Sequence, residues 1–196
     1  GSLHIQTQEE IDTFNYIEVT GDLTIGDYSN NSYSYIKNLN GLNSLKSIGG
    51  FLHLKRLSGC RSLSGLDNIT SIDGSLIIDA CINLTSLSSL SKLTKIGKGL
   101  FIAYNHEITN LNGLENLTSI GGQLAITNNT KLTSLSALNN LNLSIINGDL
   151  SISGNALSNL NCLNNIIAVE GSLGISEKNI TSLQDLNNLK SVKLNI

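Results

Sequence analysis

The chain has 196 residues, 12 basic and 15 acidic side chains, a net charge of −3, 40% hydrophobic and 4% aromatic residues, 18 Gly, and no Pro, Trp or Met. The small acidic balance, with no basic run longer than Lys55-Arg56, argues against nucleic acid or an anionic membrane as partner. No apolar stretch reaches the ~18 residues of a spanning helix, so no membrane insertion is expected.

Gly1-Ser2, without an initiating Met, reads as the scar of a cleaved tag. The first predicted element is a helix over residues 8–15. Thr7 and Glu10 have capping-box spacing, and Ile11 and Phe14 share a face. From there the pattern changes. A Leu-x-aliphatic pair starts at Leu23, Leu52, Leu76, Leu100, Leu124, Leu150 and Leu173, at spacings of 29, 24, 24, 24, 26 and 23 residues. A period of this size is that of a solenoid turn.

Between pairs the apolar residues step by three, as in Leu84, Leu87, Leu90, Leu93 and Ile96, and again in Ile108, Leu111, Leu114, Leu117 and Ile120. A helix would mix steps of three and four, and Gly49-Gly50, Asp73-Gly74 and Gly121-Gly122 would break one every turn. The expected fold is all-β: a right-handed parallel β-solenoid of about seven turns of ~24 residues, closed at its start by the short capping helix. Residues 1–22 form the tag remnant, an N-terminal strand and the cap, and residues 23–196 form the repeat, together one domain. Asn105, Asn129 and Asn155 recur at the bend after the strand, where an inward amide can bond the backbone of adjacent turns.

Chemistry-bearing residues are sparse. Cys60 takes a core leucine position, Cys81 stands in the Asn column, and Cys162 falls between inward Leu160 and Leu163 on an outward position, so free thiols are expected. His4, His53 and His106 occupy different turns, and no metal site or cofactor is implied. The acids Asp22, Asp27, Asp67, Glu115 and Asp149 pair with no basic or His partner, so no catalytic constellation emerges. Asn-x-Ser/Thr sequons at Asn30, Asn68, Asn83, Asn116, Asn128, Asn142 and Asn179 follow mostly from the repeat text itself. Thr85, Thr109, Thr133 and Thr181, with Ser158, form one hydroxyl column of the kind ice-binding solenoids use, without a flat second column beside it.

The motif Gly-x-Leu-x-Ile-x-x-Asn, followed by Leu-Thr-Ser-Leu-x-x-Leu-x-x-Leu-x-x-Ile-Gly, resembles the receptor L-domain repeat, a leucine-rich-repeat relative found in the insulin and epidermal growth factor receptors and in many microbial surface proteins. The opening over residues 7–25 is similar to the N-terminal cap of the microbial members. With three cysteines and no Cys-rich module, the chain departs from the receptors. The resemblance implies a secreted or surface-exposed recognition or adhesion module, without catalysis, for a protein or glycan ligand. An ice-binding solenoid and a carbohydrate-active enzyme on a β-helix are the alternatives.

Two contact surfaces are predicted. If the Leu and Ile of each strand point inward, the residue between them points out: Thr24, His53, Ile77, Phe101, Ala125, Ser151 and Gly174. Ile77 and Phe101 then adjoin, with Phe51 and Tyr104 at flanking positions. The second surface is the extra length of the first turn, which carries Tyr28, Tyr33 and Tyr35 among Ser and Asn. At the other end Val192 matches Ile72 and Ile120, and Ile196 matches Leu76 and Leu124. An uncapped last turn there predicts a continuing chain or an end-to-end homodimer.

Overall fold

The computed structural model describes residues 1–26 and 33–193. Asp27, Tyr28, Asn30 and Ile196, each named above, lie outside the described residues.

Alternation of a large aliphatic with a smaller or polar residue suits an extended segment with one face buried. Every predicted Leu-x-aliphatic pair is accordingly a strand: Leu23–Ile25, Leu52–Lys55, Leu76–Asp79, Leu100–Ala103, Leu124–Thr127, Leu150–Ser153 and Leu173–Ser176. An eighth copy of the motif, Leu3-His4-Ile5, heads the stack, and all eight form one parallel sheet in strict register. Leu100 thus sits between Leu76 and Leu124, and Ile102 between Ile78 and Ile126. The residues between them align as predicted, Thr24 beside His53, His53 beside Ile77, Ile77 beside Phe101, but Thr24, expected at the surface, is buried.

The opposite corner carries two-residue strands. Glu18–Val19, Ser47–Ile48, Ser71–Ile72, Lys95–Ile96 and Ser119–Ile120 form a second parallel sheet, and Ile145–Ile146, Ala168–Val169 and Ser191–Val192 a third. The break falls where the repeat lengthens: Ile120 is the third residue after Leu117, but Ile146 is the fifth after Leu141. The surplus pushes Ile145–Ile146 out of the ladder that Ser119–Ile120 would continue, and half-buried Leu143 packs against the core there.

The runs stepping by three return as extended chain and short 3₁₀ turns at Asn40–Ser44, Ser88–Leu90, Ser136–Leu138, Asn161–Leu163 and Gln184–Leu186. Three residues per turn match that spacing and keep each Leu on the inner side. In the two intervening turns the 3₁₀ piece gives way to Gly65 and Gly113, both at φ +111°. There a neighbouring carboxylate holds the bend: Gly65 N–H donates to Asp67 Oδ2 and Gly113 N–H to Glu115 Oε2, each at 2.7 Å.

Leu84, Leu87, Leu90, Leu93 and Ile96 are fully buried in one continuous aliphatic cluster. Each such side chain contributes about 1.5–3 kcal/mol relative to exposure. The cap helix spans Gln8–Asp12, shorter than the predicted residues 8–15, because Thr13 closes it by donating from its N–H and hydroxyl to Glu9 O. The capping box is complete, with Thr7 Oγ1 accepting from Glu10 N–H and Glu10 Oε2 accepting from Thr7 N–H. The backbone N–H groups of Gln6 and Thr7, both donating to Oε2, hold the Glu10 carboxyl below its usual range. In the last described turn Leu173, Ile175, Ile180, Leu186, Leu189 and Val192 are only partly buried and Leu183 is exposed.

Candidate functional site

The bend after each strand is built from two columns. The first residue past the sheet turns left-handed: Arg56, Ala80, Tyr104 and Asn128 have φ between 53° and 58°, and Gly154 has φ 67°. Its N–H continues the sheet, as in Tyr104 N–H to Thr127 O at 3.1 Å. The left-handed bend aims the next residue inward, giving the column Leu57, Cys81, Asn105, Asn129, Asn155, buried throughout. Asn155 ends the Asn run by donating from N–H and Nδ2 to Glu177 Oε1, at 3.0 and 2.7 Å. Glu177 has no counterpart in the sequence reading. It is the first residue past its strand, in register with Gly154 rather than Asn155, and its longer side chain reaches Asn155.

Left-handed backbone costs a residue with a Cβ roughly 1–2 kcal/mol, and Gly or Asn the least. Asn128 and Gly154 conform. Arg56, Ala80 and Tyr104, on three successive turns, do not. Around these three lies a groove of about 330 Å³, completed by Tyr33, Asp79, Ile82 and His106. Tyr33 and Tyr104 are 45% and 49% exposed, so both phenols face solvent while lining it. Aromatic face, guanidinium, carboxylate and imidazole therefore converge on one concave strip.

The sequence-derived candidates separate here. Tyr104 stands at the corner in the left-handed column, off the strand face, and joins Tyr33 of the first-turn loop. Tyr35 is 93% exposed and lines no part of the groove. On the strand face His53, Ile77 and Phe101 are half-buried, as is the flanking Phe51. The Phe101 ring lies over Gly99, where an added Cβ would collide with it, so the ring is folded along the sheet. The face and the groove share an edge: Asp79 is two residues beyond Ile77, points the same way and lines the groove. Burial lowers the His53 pKa, opposed by the nearby Asp79 carboxylate and assisted by Lys55.

Arg56, Asp79 and His106 were not singled out for this site, because only the left-handed bend brings them beside Tyr104. The signal available in sequence was positional: each falls three to six residues after its strand's first Leu. A larger hollow of about 810 Å³ lies further along the same corner, around Asn128, Ser153, Asn155, Ser176 and Glu177. It has no aromatic wall; the Asn155 donors engage Oε1 of its Glu177 carboxylate, while Oε2 is buried without a hydrogen-bond partner among the described residues. The smaller groove gathers the more varied side-chain chemistry, the larger hollow the greater volume.

The remaining candidates have backbone duties. Asp22 accepts from Phe51 N–H at 3.0 Å and Asp149 from Ser172 N–H at 2.8 Å, tying each repeat to the next, whereas Asp67 and Glu115 hold local bends. Thr85 and Thr133 donate their hydroxyls to Arg61 O and Thr109 O of the preceding turn. A second hydroxyl column, Thr70, Thr94 and Thr118, escaped the sequence reading and does the same. The sequon residues Asn68, Asn83 and Asn116 donate from Nδ2 to carbonyls of the preceding turn. All three cysteines are free. Cys162 is not on an outward position as expected: it packs partly buried against the core, and burial raises its thiol pKa to about 12. Among the described residues no group of three or more His, Cys, Asp or Glu side chains could hold a metal ion.

No family model matches the sequence, and no curated protein is similar to it. Among solved structures the chain is similar to an internalin from Listeria monocytogenes, at 18% identity and a TM-score of 0.47. The match covers 96% of this chain and 63% of the internalin, so the chain spans less than two thirds of that protein's length.

Proposed function

We propose that this solenoid is a recognition module that holds a protein or glycan ligand in the corner groove and on the adjoining strand face, without covalent chemistry. One observation carries the reading. Arg56, Ala80 and Tyr104 occupy a strained column where Gly or Asn would be cheaper, and together with Tyr33, Asp79 and His106 they line one groove. Strained backbone beside exposed aromatic and charged side chains is the arrangement expected of a contact surface.

The strand face around His53, Ile77 and Phe101 is the second contact area of this proposal, continuous with the groove through Asp79. The receptor L-domain resemblance of the repeat text supports display at a cell surface or secretion, of the microbial type. Against the ice-binding alternative, the Thr85 and Thr133 hydroxyls already donate to backbone carbonyls. Against catalysis on a β-helix, the acids Asp22, Asp67, Glu115 and Asp149 each accept from a backbone N–H.

The test is a glycan array run beside a displayed-peptide library, with the wild-type chain, Tyr104→Ser and Phe101→Ser. Binding that falls at least tenfold in Tyr104→Ser, with unchanged folding by circular dichroism, supports the groove. Equal binding by both variants and wild type refutes both surfaces.

A further inference from the structure

We propose that the slot between Arg56 and Tyr104 takes a neutral pyranose ring of a glycan, with Ala80 as its floor. The inference rests on the recognition reading above and names its ligand.

Successive turns of a parallel stack are about 4.8 Å apart, so Arg56 and Tyr104, two turns apart with Ala80 between them, are separated by about 10 Å at the backbone. Carbon atoms in contact lie about 3.5–4.0 Å apart, so a ring held between two planar groups needs about 8 Å from plane to plane. The sequence large-small-large along the column therefore leaves room for the thickness of one ring. A large residue in place of Ala80 would fill it. The planar guanidinium and the phenol are suited to the flat faces of such a ring, and half-buried Ile82 adds an apolar contact at the rim.

The polar groups match hydroxyls better than charges. Asp79 only accepts, Arg56 only donates, and His106 and the two phenols do both, so adjacent sugar hydroxyls find donors and acceptors together. One cation against one anion leaves no net charge in the groove, which disfavours an acidic sugar or a phosphate. At about 330 Å³ the hollow is at the small end of ligand sites, which span roughly 300–1,000 Å³. That volume suits one or two sugar rings. A protein epitope would instead need about 800 Å² of surface on this side.

The experiment exploits the strain. Tyr104→Gly relieves the left-handed bend and removes the aromatic wall, so it should raise the melting temperature while weakening binding at least tenfold. Ala80→Leu should fill the slot and abolish binding with the fold retained by circular dichroism. The probes are an array of neutral glycans, the same array bearing acidic sugars, and a displayed-peptide library. Binding to neutral glycans that both variants lose supports the proposal. Selective binding to acidic sugars overturns it, as does selective binding to peptides; if the variants lose that binding too, the recognition groove still stands. Binding to any probe that survives both substitutions overturns the groove itself. No binding to any probe overturns both readings.

Discussion

Asn105 N–H donates to Asn129 Oδ1 at 3.0 Å, and Asn129 N–H donates in turn to Asn155 Oδ1 at 3.0 Å. Each amide also donates from Nδ2, Asn129 to Ile102 O at 2.9 Å and to Asn155 Oδ1 at 3.1 Å. A left-handed bend and a buried backbone are thus tied together once per turn by a side chain that must both give and accept. Asn129→Asp keeps the shape and the acceptors but loses the donors, and it buries a charge facing two oxygens. We expect a loss of roughly 3 kcal/mol or more at neutral pH. The buried Asp would have a raised pKa, because its protonated form can donate. The deficit relative to wild type should therefore shrink as pH falls towards ~4, near the unfolded Asp value. Urea melts of both proteins across pH 4–8 check this, and a deficit independent of pH would show that the introduced carboxyl titrates as in the unfolded chain and buries no charge.

Much of this was legible in the sequence because the fold is periodic. A 24-residue return of Leu-x-Ile fixes register, inward and outward faces, and the Asn ladder, since each follows from position within the turn. The eighth strand at Leu3–Ile5 repeats the same text, but the helix between it and Leu23 hides the period. The split of the second sheet is a two-residue surplus between Leu141 and Ile146, visible only once the Ile positions are aligned. The groove was legible in part. Tyr33 and Tyr104 could be named as exposed aromatics, yet their meeting depends on the sign of one dihedral angle at Tyr104, which no apolar spacing encodes.

Cys81 fills the Asn place imperfectly. Its Sγ lies 3.6 Å from Leu54 O and 3.7 Å from Asp79 O, where Asn105 places Nδ2 at 3.0 and 2.9 Å from the corresponding carbonyls. Cys81→Asn should therefore stabilise the chain by about 1 kcal/mol, read as a higher urea midpoint at unchanged m-value. A lower midpoint would mean that the sulfur is packed too well to be exchanged.

The thiols should be inert in the folded chain. Burial raises Cys60 to about 11 and Cys81 and Cys162 to about 12, so hardly any thiolate forms at pH 8. Iodoacetamide at pH 8 should leave the native protein almost unmodified by mass spectrometry and add three groups in guanidinium. Rapid single labelling of the native chain would place one cysteine outside the core.

His53 gives the strand face a pH dependence. Its folded pKa lies below the ordinary value of 6.5, mainly through burial, so the unfolded chain takes up the proton first. Stability should be level in this respect above pH 6.5 and decline as pH falls through the folded value. His53→Gln should flatten that part of the profile. A decline of the same size in His53→Gln would assign it to other groups.

Leu111 is fully buried, and Leu111→Asp places an unpaired carboxylate in the aliphatic column, at a cost of several kcal/mol. Loss of the cooperative thermal transition is the expected outcome. A melting temperature like that of wild type would contradict the stacked core.

Two glycines separate backbone need from mere absence of a side chain. Gly113 sits at φ +111° with Leu87 O where a Cβ would project, and its N–H is fixed by Glu115. Gly174 lies in the outward strand column, where a Cβ would meet nothing nearer than Ser151 Oγ at 4.0 Å. Gly113→Ala should thus cost more than the ~1 kcal/mol by which Ala usually lowers unfolded-state entropy, whereas Gly174→Ala should stabilise by about 0.4–1 kcal/mol. The two substitutions are chemically identical, so their difference in urea midpoint isolates the conformational demand of the bend. Equal midpoints would show that the bend relaxes around an alanine and that the Gly113 corner is not what sets the path of its turn.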